Sequence, residues 1–411
     1  MTAVARMQSD AARREGEKMA NDPVEVPDLG WTNVDPEVSA RPQQFYPMMR
    51  DLGVVEAEEM VLITRHEDVV WALRHPDLFS SGSDAIDIGN IRPLIPLQID
   101  PPDHVKFRRL LDPLFAPREM EKLEADVRAL VVELIDEFVG AGECEFNGAV
   151  AIPLPCTVFL RLLGLPLANL DLFLRFKDEI IRPAAVTPAE GRAMARETGK
   201  EIYAYFETVI AQRRQDPQDD MLSGFLSAEI DGEVLTTEDI MDIAYLFLLA
   251  GLDTVTASLG CAVAYLADHP ERQQALRDDP LLVPAAIEEL LRWETPVPGV
   301  IRVATQNVEV AGSTISAGTT VTCLLASANT DGAEFADPES VDFERAANRH
   351  LAFGAGIHRC LGSHLARLEM RVALEELHAR VPQYAVKAGE TPIFTMGIRG
   401  VEYLPLVWQP A

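Results

Sequence analysis

Phe353-Gly354-Ala355-Gly356-Ile357-His358-Arg359-Cys360-Leu361-Gly362 sets one cysteine in a glycine-pinned loop that runs straight into a helix. After Gly362 the apolar residues Leu365, Leu368, Val372 and Leu377 recur at helical spacing, which starts the helix within a residue or two of the cysteine. A sulfur there faces unpaired backbone N–H groups and the positive end of the helix dipole, and both favour a thiolate. Gly354 and Gly356 lack Cβ atoms, so the loop can bend through positive φ and let a large flat ligand approach the backbone. Phe353 offers an apolar face, while His358 and Arg359 offer positive charge. The loop suits a thiolate held below a flat, anionic macrocycle. A lone cysteine is more often a small buried hydrophobe. Gly-x-Gly can also open a dinucleotide fingerprint, but Arg359 takes the third glycine position and no valine-rich strand precedes it, so that reading fails.

The full string resembles the haem-thiolate loop of the cytochrome P450 family, Phe-Gly-x-Gly-x-His-x-Cys-x-Gly with an Arg before the Cys. The resemblance implies a mainly α fold, one large helical domain around a long central helix with small β-sheets. It also implies haem b as cofactor, with Cys360 as the axial thiolate to iron and Phe353, Gly354, His358 and Gly362 lining the proximal side. The likeness runs from about residue 30 to 408 and includes the Pro405-Leu406-Val407-Trp408 ending of camphor-hydroxylase-like bacterial members.

The chain has 411 residues, 48% of them hydrophobic, enough for a large buried core. No Gly/Ser- or Pro-rich linker divides it, so residues 23–411 read as one domain behind a polar, disordered tail over residues 1–22. A formal charge of -29 excludes nucleic acid and anionic membrane surfaces as natural partners. Cys144, Cys156, Cys261, Cys323 and Cys360 are odd in number and never spaced Cys-x-x-Cys, which fits a reducing cytoplasm. The N-terminus has no apolar core of a signal peptide or anchor.

Residues 236–268 are the second informative stretch. Thr236 or Thr237 followed by Glu238 and Asp239 marks a helix start, and His269-Pro270 marks its stop. From Ile243 to Ala267 the only formal charge is Asp253. A membrane span would put that carboxylate mid-bilayer at a cost of about 2.5–3.5 kcal/mol, with acidic flanks, so a central buried helix is the better reading. At its middle lies Ala250-Gly251-Leu252-Asp253-Thr254, where Gly251 leaves a notch and Thr254 can hydrogen-bond back one turn. In isolation the Asp would be satisfied by local hydrogen bonds. The five residues resemble the P450 oxygen groove, which implies that Ala250 and Gly251 lie against the haem, that Thr254 steadies dioxygen during activation, and that Asp253 gates protons toward it.

His104 and Arg108 share a helical face after Asp100-Pro101-Pro102 and could reach one anionic group. The resemblance implies that they hold a haem propionate, as do Arg302 and His358. Glu289 and Arg292, three apart, match the family's Glu-x-x-Arg pair, buried on the cysteine side of the haem and joined by Arg345. Strand-like patterns appear at Val54–Glu56, Met60–Ile63, Val300–Leu325 and Gly397–Trp408, and a mostly helical one from Glu119 to about Arg214, with prolines as breaks.

Residues 81–97, rich in isoleucine, read either as a flap over something apolar or as an ordinary packed loop. Family positions imply a pocket from Ile86, Ile91, Leu94 and Ile95 in the flap, Leu246 and Leu249 in the central helix, and Val297, Met396 and Ile398. The lining is aliphatic, so the expected substrate is an apolar small molecule of terpenoid, steroid or alkyl type. Arg92 is the exception, placed either toward a substrate carboxylate or, more commonly, toward solvent. With no flavin or Rossmann motif the chain needs a separate electron source: O2 is the co-substrate, and a ferredoxin with its NAD(P)H-dependent reductase the expected donor. Lys106, Arg109, Arg118, Lys122, Arg359 and Arg367 are the candidate docking patch. A peroxide-driven peroxygenase and a non-catalytic haem-binding sensor are the alternatives; the first often lacks the acid–alcohol pair, and the second would show no turnover.

Overall fold

Short runs rich in Val and Ile make the largest sheet: β1 (Val54–Ala57), β2 (Met60–Ile63), β3 (Phe79–Ser80), β4 (Val300–Ala304) and β5 (Thr320–Cys323). Their spatial order is β1-β2-β5-β4-β3. The computed structural model describes residues 36–410 apart from 58–59, 83–84, 86–87, 184–186 and 382; the tail over residues 1–22 and Ile86 lie outside the described residues. Strand β5 runs parallel to β2 and antiparallel to β4, so a late segment adds to the free edge of the early β1–β2 hairpin and ties the two ends of the chain together. Ile63, Val321 and Cys323 are fully buried beneath it.

Helices dominate the rest. Those that position the site are α1 (Asp103–Leu111), α2 (Glu124–Asp136), α3 (Pro153–Leu162), α4 (Leu170–Ile181), α5 (Pro188–Gln215), α6 (Thr237–Ala267), α7 (Val283–Glu294) and α8 (Ser363–Arg380). Of the prolines expected as breaks, Pro183 follows the end of α4, whereas Pro153 and Pro188 each open a helix, where a missing N–H leaves nothing unpaired. Helix α5 is locked by a Thr187–Glu190 capping box. A strand, Glu143–Glu145, interrupts the stretch expected to be helical and pairs with Pro405–Trp408. Gly140-Ala141-Gly142 turns the chain into it, Gly142 at φ +76°, but its pairing partner lies near the other end of the chain.

Helix α6 is 31 residues long and begins at a Thr236 N-cap, whose side chain accepts from Asp239 N–H while the Asp239 carboxylate answers the Thr236 N–H. It is long and apolar enough to cross a membrane, yet 78% of its apolar window is buried within the protein. The other helices supply that burial, and α6 crosses the main hydrophobic core as its axle.

Candidate active site

The cysteine loop closes on itself. Gly354 N–H donates to the Leu351 carbonyl at 2.7 Å and Cys360 N–H to the Phe353 carbonyl at 2.8 Å. Gly356 has φ +69°, and a Cβ there would lie 2.0 Å from the Leu73 carbonyl oxygen, so the position admits only glycine. Gly362 caps α8, and the Arg367 guanidinium lies 4.4 Å from the centre of the Phe353 ring. Cys360 is accessible yet walled by protein, as a group on the floor of a recess is. Burial pushes its thiol up, opposed by the Gly362 N–H and by Arg359, Arg108 and Arg367. The helix terminus therefore does not secure a thiolate by itself; a coordinated metal ion would, because the ligating species is the anion.

Beside the sulfur, two imidazoles and two guanidiniums converge. The rings of His104 and His358 stand 4.2 Å apart. Arg108 donates to the Arg359 carbonyl at 2.8 Å and pairs with Asp112 at 2.7 Å. Burial, then Arg108, lowers His104 to about 4, and burial, then Arg302, lowers His358 to about 3. Among the described residues, both ring nitrogens of His104 and Nε2 of His358 are buried without a hydrogen-bond partner, and the guanidinium of buried Arg302 bonds the Ile301 carbonyl at 2.7 Å and no other group. Orphaned donors among buried cations fit an anionic ligand, which would satisfy them and reverse their mutual repulsion. These residues fit a haem: His104, Arg108, Arg302 and His358 would hold its carboxylates and Cys360 its iron.

Between Ile240 and Ala264, α6 is buried except at Leu246, Ala250, Gly251 and Thr254, of which Leu246, Ala250 and Thr254 follow at intervals of four along one face. Thr254 Oγ1 donates to the Ala250 carbonyl at 3.0 Å, and Ser258 Oγ to the Thr254 carbonyl at 2.7 Å, so side-chain bonds load the helix ladder at this point. The notch at Gly251 is filled by a neighbour rather than left for a ligand: a Cβ would come 2.8 Å from the Phe159 ring of α3. Asp253 is 1% exposed and held by Lys177 Nζ at 3.3 Å and Arg182 Nη2 at 2.9 Å. It is clamped to α4 by ions rather than satisfied by local hydrogen bonds.

Under the loop, Glu289 accepts from Arg292 Nε at 2.9 Å and Nη2 at 2.8 Å, and from Arg345 Nε at 3.0 Å. The Asp342 N–H and Asn348 Nδ2 complete its shell at 2.9 and 3.0 Å. Glu289 and Arg292 are both 0% exposed.

The expected pocket residues divide. Leu246, Val297, Met396 and Ile398 keep partial access, and Arg399 N–H donating to the Pro296 carbonyl at 2.8 Å brings the 396–398 turn beside Val297. Leu94, Ile95 and Leu249 are packed into the core, at 0%, 6% and 8% exposure, and Ile91 is 60% exposed at the surface. Arg92 takes neither expected course. Its guanidinium grips Asp242 of α6 through two bonds of 3.0 Å and lies 4.7 Å from the Tyr203 ring centre.

The comparisons agree with this geometry. The sequence profile of the family described as Cytochrome P450 matches residues 177–378. A probable cytochrome P450 127A1 of Sinorhizobium fredii is 38% identical over 84% of this chain and 83% of its own. The chain belongs to the cytochrome P450 family. A steroid C26-monooxygenase of Mycobacterium tuberculosis is 33% identical over 94% of this chain and 98% of its own. The crystal structure of CYP109E1 from Bacillus megaterium in complex with testosterone superposes with a TM-score of 0.86 at 28% identity, covering 92% of this chain and 100% of that one. Such P450 enzymes carry a haem-thiolate iron.

Lys177, Arg182, Asp242 and Phe159 escaped the sequence reading. Lys177 had a usable signal, a lone cation on a helix face otherwise made by Phe173, Phe176 and Ile180. The others had none, since their partners are distant in sequence.

Proposed function

We propose that this P450 monooxygenase hydroxylates a neutral apolar small molecule of steroid, terpenoid or alkyl type, with O2 and electrons from a ferredoxin and its NAD(P)H-dependent reductase. The observation that carries the reading is the cluster of orphaned His104 and His358 nitrogens with Arg108 and Arg302 beside a recessed Cys360. Haem b, held there by the thiolate of Cys360, supplies the oxygen-activating redox chemistry. The chain's own residues do the rest. Thr254, on the accessible face of α6, presents a hydroxyl to the oxygen site, while Asp253 beside it holds the proton supply behind its two cations. Ala250 and Leu246 offer the substrate an apolar wall, joined by Val297, Met396 and Ile398 across the site. Steroid chemistry is supported by the names of the mycobacterial and Bacillus relatives. The ion-paired acid beside an alcohol favours oxygen activation over direct use of peroxide. A cytoplasmic setting agrees with cysteines that are all free, Cys156, Cys261 and Cys323 among them buried.

The reading is tested by reducing the purified protein under carbon monoxide. The red-shifted Soret band of a thiolate-ligated carbonyl complex is expected, and Cys360→Ser is expected to abolish it. A well-folded, haem-loaded protein that never shows the band would overturn the assignment.

A further inference from the structure

The pair formed by Arg92 and Asp242 stands where the flap meets the central helix. Asp242, Leu246, Ala250 and Thr254 follow one another at intervals of four, so the carboxylate shares its helical face with the accessible residues of the site. At 1.5 Å per residue it lies about 12 Å along the axis from Ala250, one turn beyond Leu246, the first accessible residue of α6 after Ile240. The flap is held to the same place by Tyr245 Oη, which donates to the Ile88 carbonyl at 2.9 Å. Gly89 packs on Gly199 so closely that a Cβ on Gly199 would lie 2.1 Å from the Gly89 carbonyl oxygen. Asp242 is nearly buried, whereas the Arg92 side chain remains 31% exposed. Further along α6, Lys177 and Arg182 are committed to Asp253.

We propose that Asp242 determines specificity: by neutralising Arg92 at the outer end of the pocket, it makes the enzyme take neutral apolar molecules and turn away those of equal length that end in a carboxylate. The inference rests on the pocket reading above. Arg92 presents a planar fork that suits one carboxylate bidentately, and Asp242 already fills it. A substrate carboxylate arriving there would be stripped of water beside a like charge and without a partner. With the Asp242 charge removed, the same fork becomes a receptor for an acid.

The test uses the haem-loaded enzyme and a matched pair of probes, dodecanoate and 1-dodecanol, followed by the spin-state change and by equilibrium dialysis. The unaltered enzyme is expected to favour the alcohol. Asp242→Asn is expected to tighten dodecanoate about tenfold or more relative to dodecanol, Asp242→Glu to keep the original preference, and the double variant R92A/D242N to lose the gain. Arg92→Gln, which leaves the Asp242 carboxylate without its cation, is expected to weaken dodecanoate further while sparing dodecanol. An unchanged ratio in Asp242→Asn, a gain that survives in the double variant, or tighter dodecanoate in Arg92→Gln would each overturn the proposal alone. Failure of the unaltered enzyme to bind either probe would overturn the pocket reading and the proposal with it.

Discussion

Glu369 is 2% exposed on α8, and its Oε2 has no hydrogen-bond partner among the described residues; burial pushes the carboxyl up to about 8 from the ordinary 4.5. The folded chain therefore keeps a proton that the unfolded chain releases at 4.5. The stability that the neutral acid allows is complete below 4.5 and is lost as pH rises toward 8, by roughly 1.4 kcal/mol per pH unit within that window. Glu369→Gln should flatten that slope, read as melting temperature against pH; parallel curves for the two proteins would contradict it. Thr254 bears on chemistry rather than stability. Thr254→Ala removes a side chain that bonds only its own helix, so haem loading should be normal. Reducing equivalents should then leave as hydrogen peroxide, and product formed per O2 consumed should drop. Tight coupling in that variant would remove Thr254 from its proposed role.

Among the elements, α7 is held to the loop beneath the cysteine by one buried carboxylate. Glu289 gathers Arg292, Arg345, Asn348 and the Asp342 N–H, and Arg292 reaches onward to the carbonyls of Asn329, Pro338 and Ser340. Removing the acid leaves buried Arg292 and half-buried Arg345 without a counter-charge, which costs about 3–5 kcal/mol. Glu289→Ala should thus fail to fold or to retain haem, and Glu289→Gln should lower the unfolding midpoint. An unchanged midpoint in denaturant would show that the network is dispensable. A second clamp binds α7 to α8: Glu288 meets Arg367 at 2.6 Å and His350 at 3.1 Å. Burial alone would raise Glu288, but hydrogen bonds from Arg367 and His350 bring it down to about 2.

Across the whole molecule, the excess of acid leaves few cations free on the cysteine side. Of the six expected to form a docking patch, Lys106 is taken by Asp103 and Asp231, Lys122 by Glu119 and Arg367 by Glu288. Arg109, Arg118 and Arg359 are exposed and have no acidic partner among the described residues. An acidic electron donor would meet these three. Reversing Arg109 and Arg359 to Glu should slow reduction at low ionic strength, with the rates converging at high salt, whereas Lys106→Gln should change little. Stopped-flow reduction that is indifferent to the reversals at both salt concentrations would locate the donor elsewhere.

The cysteine loop, the Glu289–Arg292 pair and the buried central helix with its Thr236 cap were legible because each is decided by residues within a turn or a loop of one another. Local spacing fixes which side chains share a helix face and where a backbone must bend. The distant pairings were not legible. Asp253 finds Lys177 and Arg182 from 76 and 71 residues away, and Arg92 finds Asp242 across 150. Glu143–Glu145 becomes a strand only because Pro405–Trp408 lies beside it. A charged side chain in a sequence has water as its default partner. Only packing decides which charges lose that water, and with which partners they then pair.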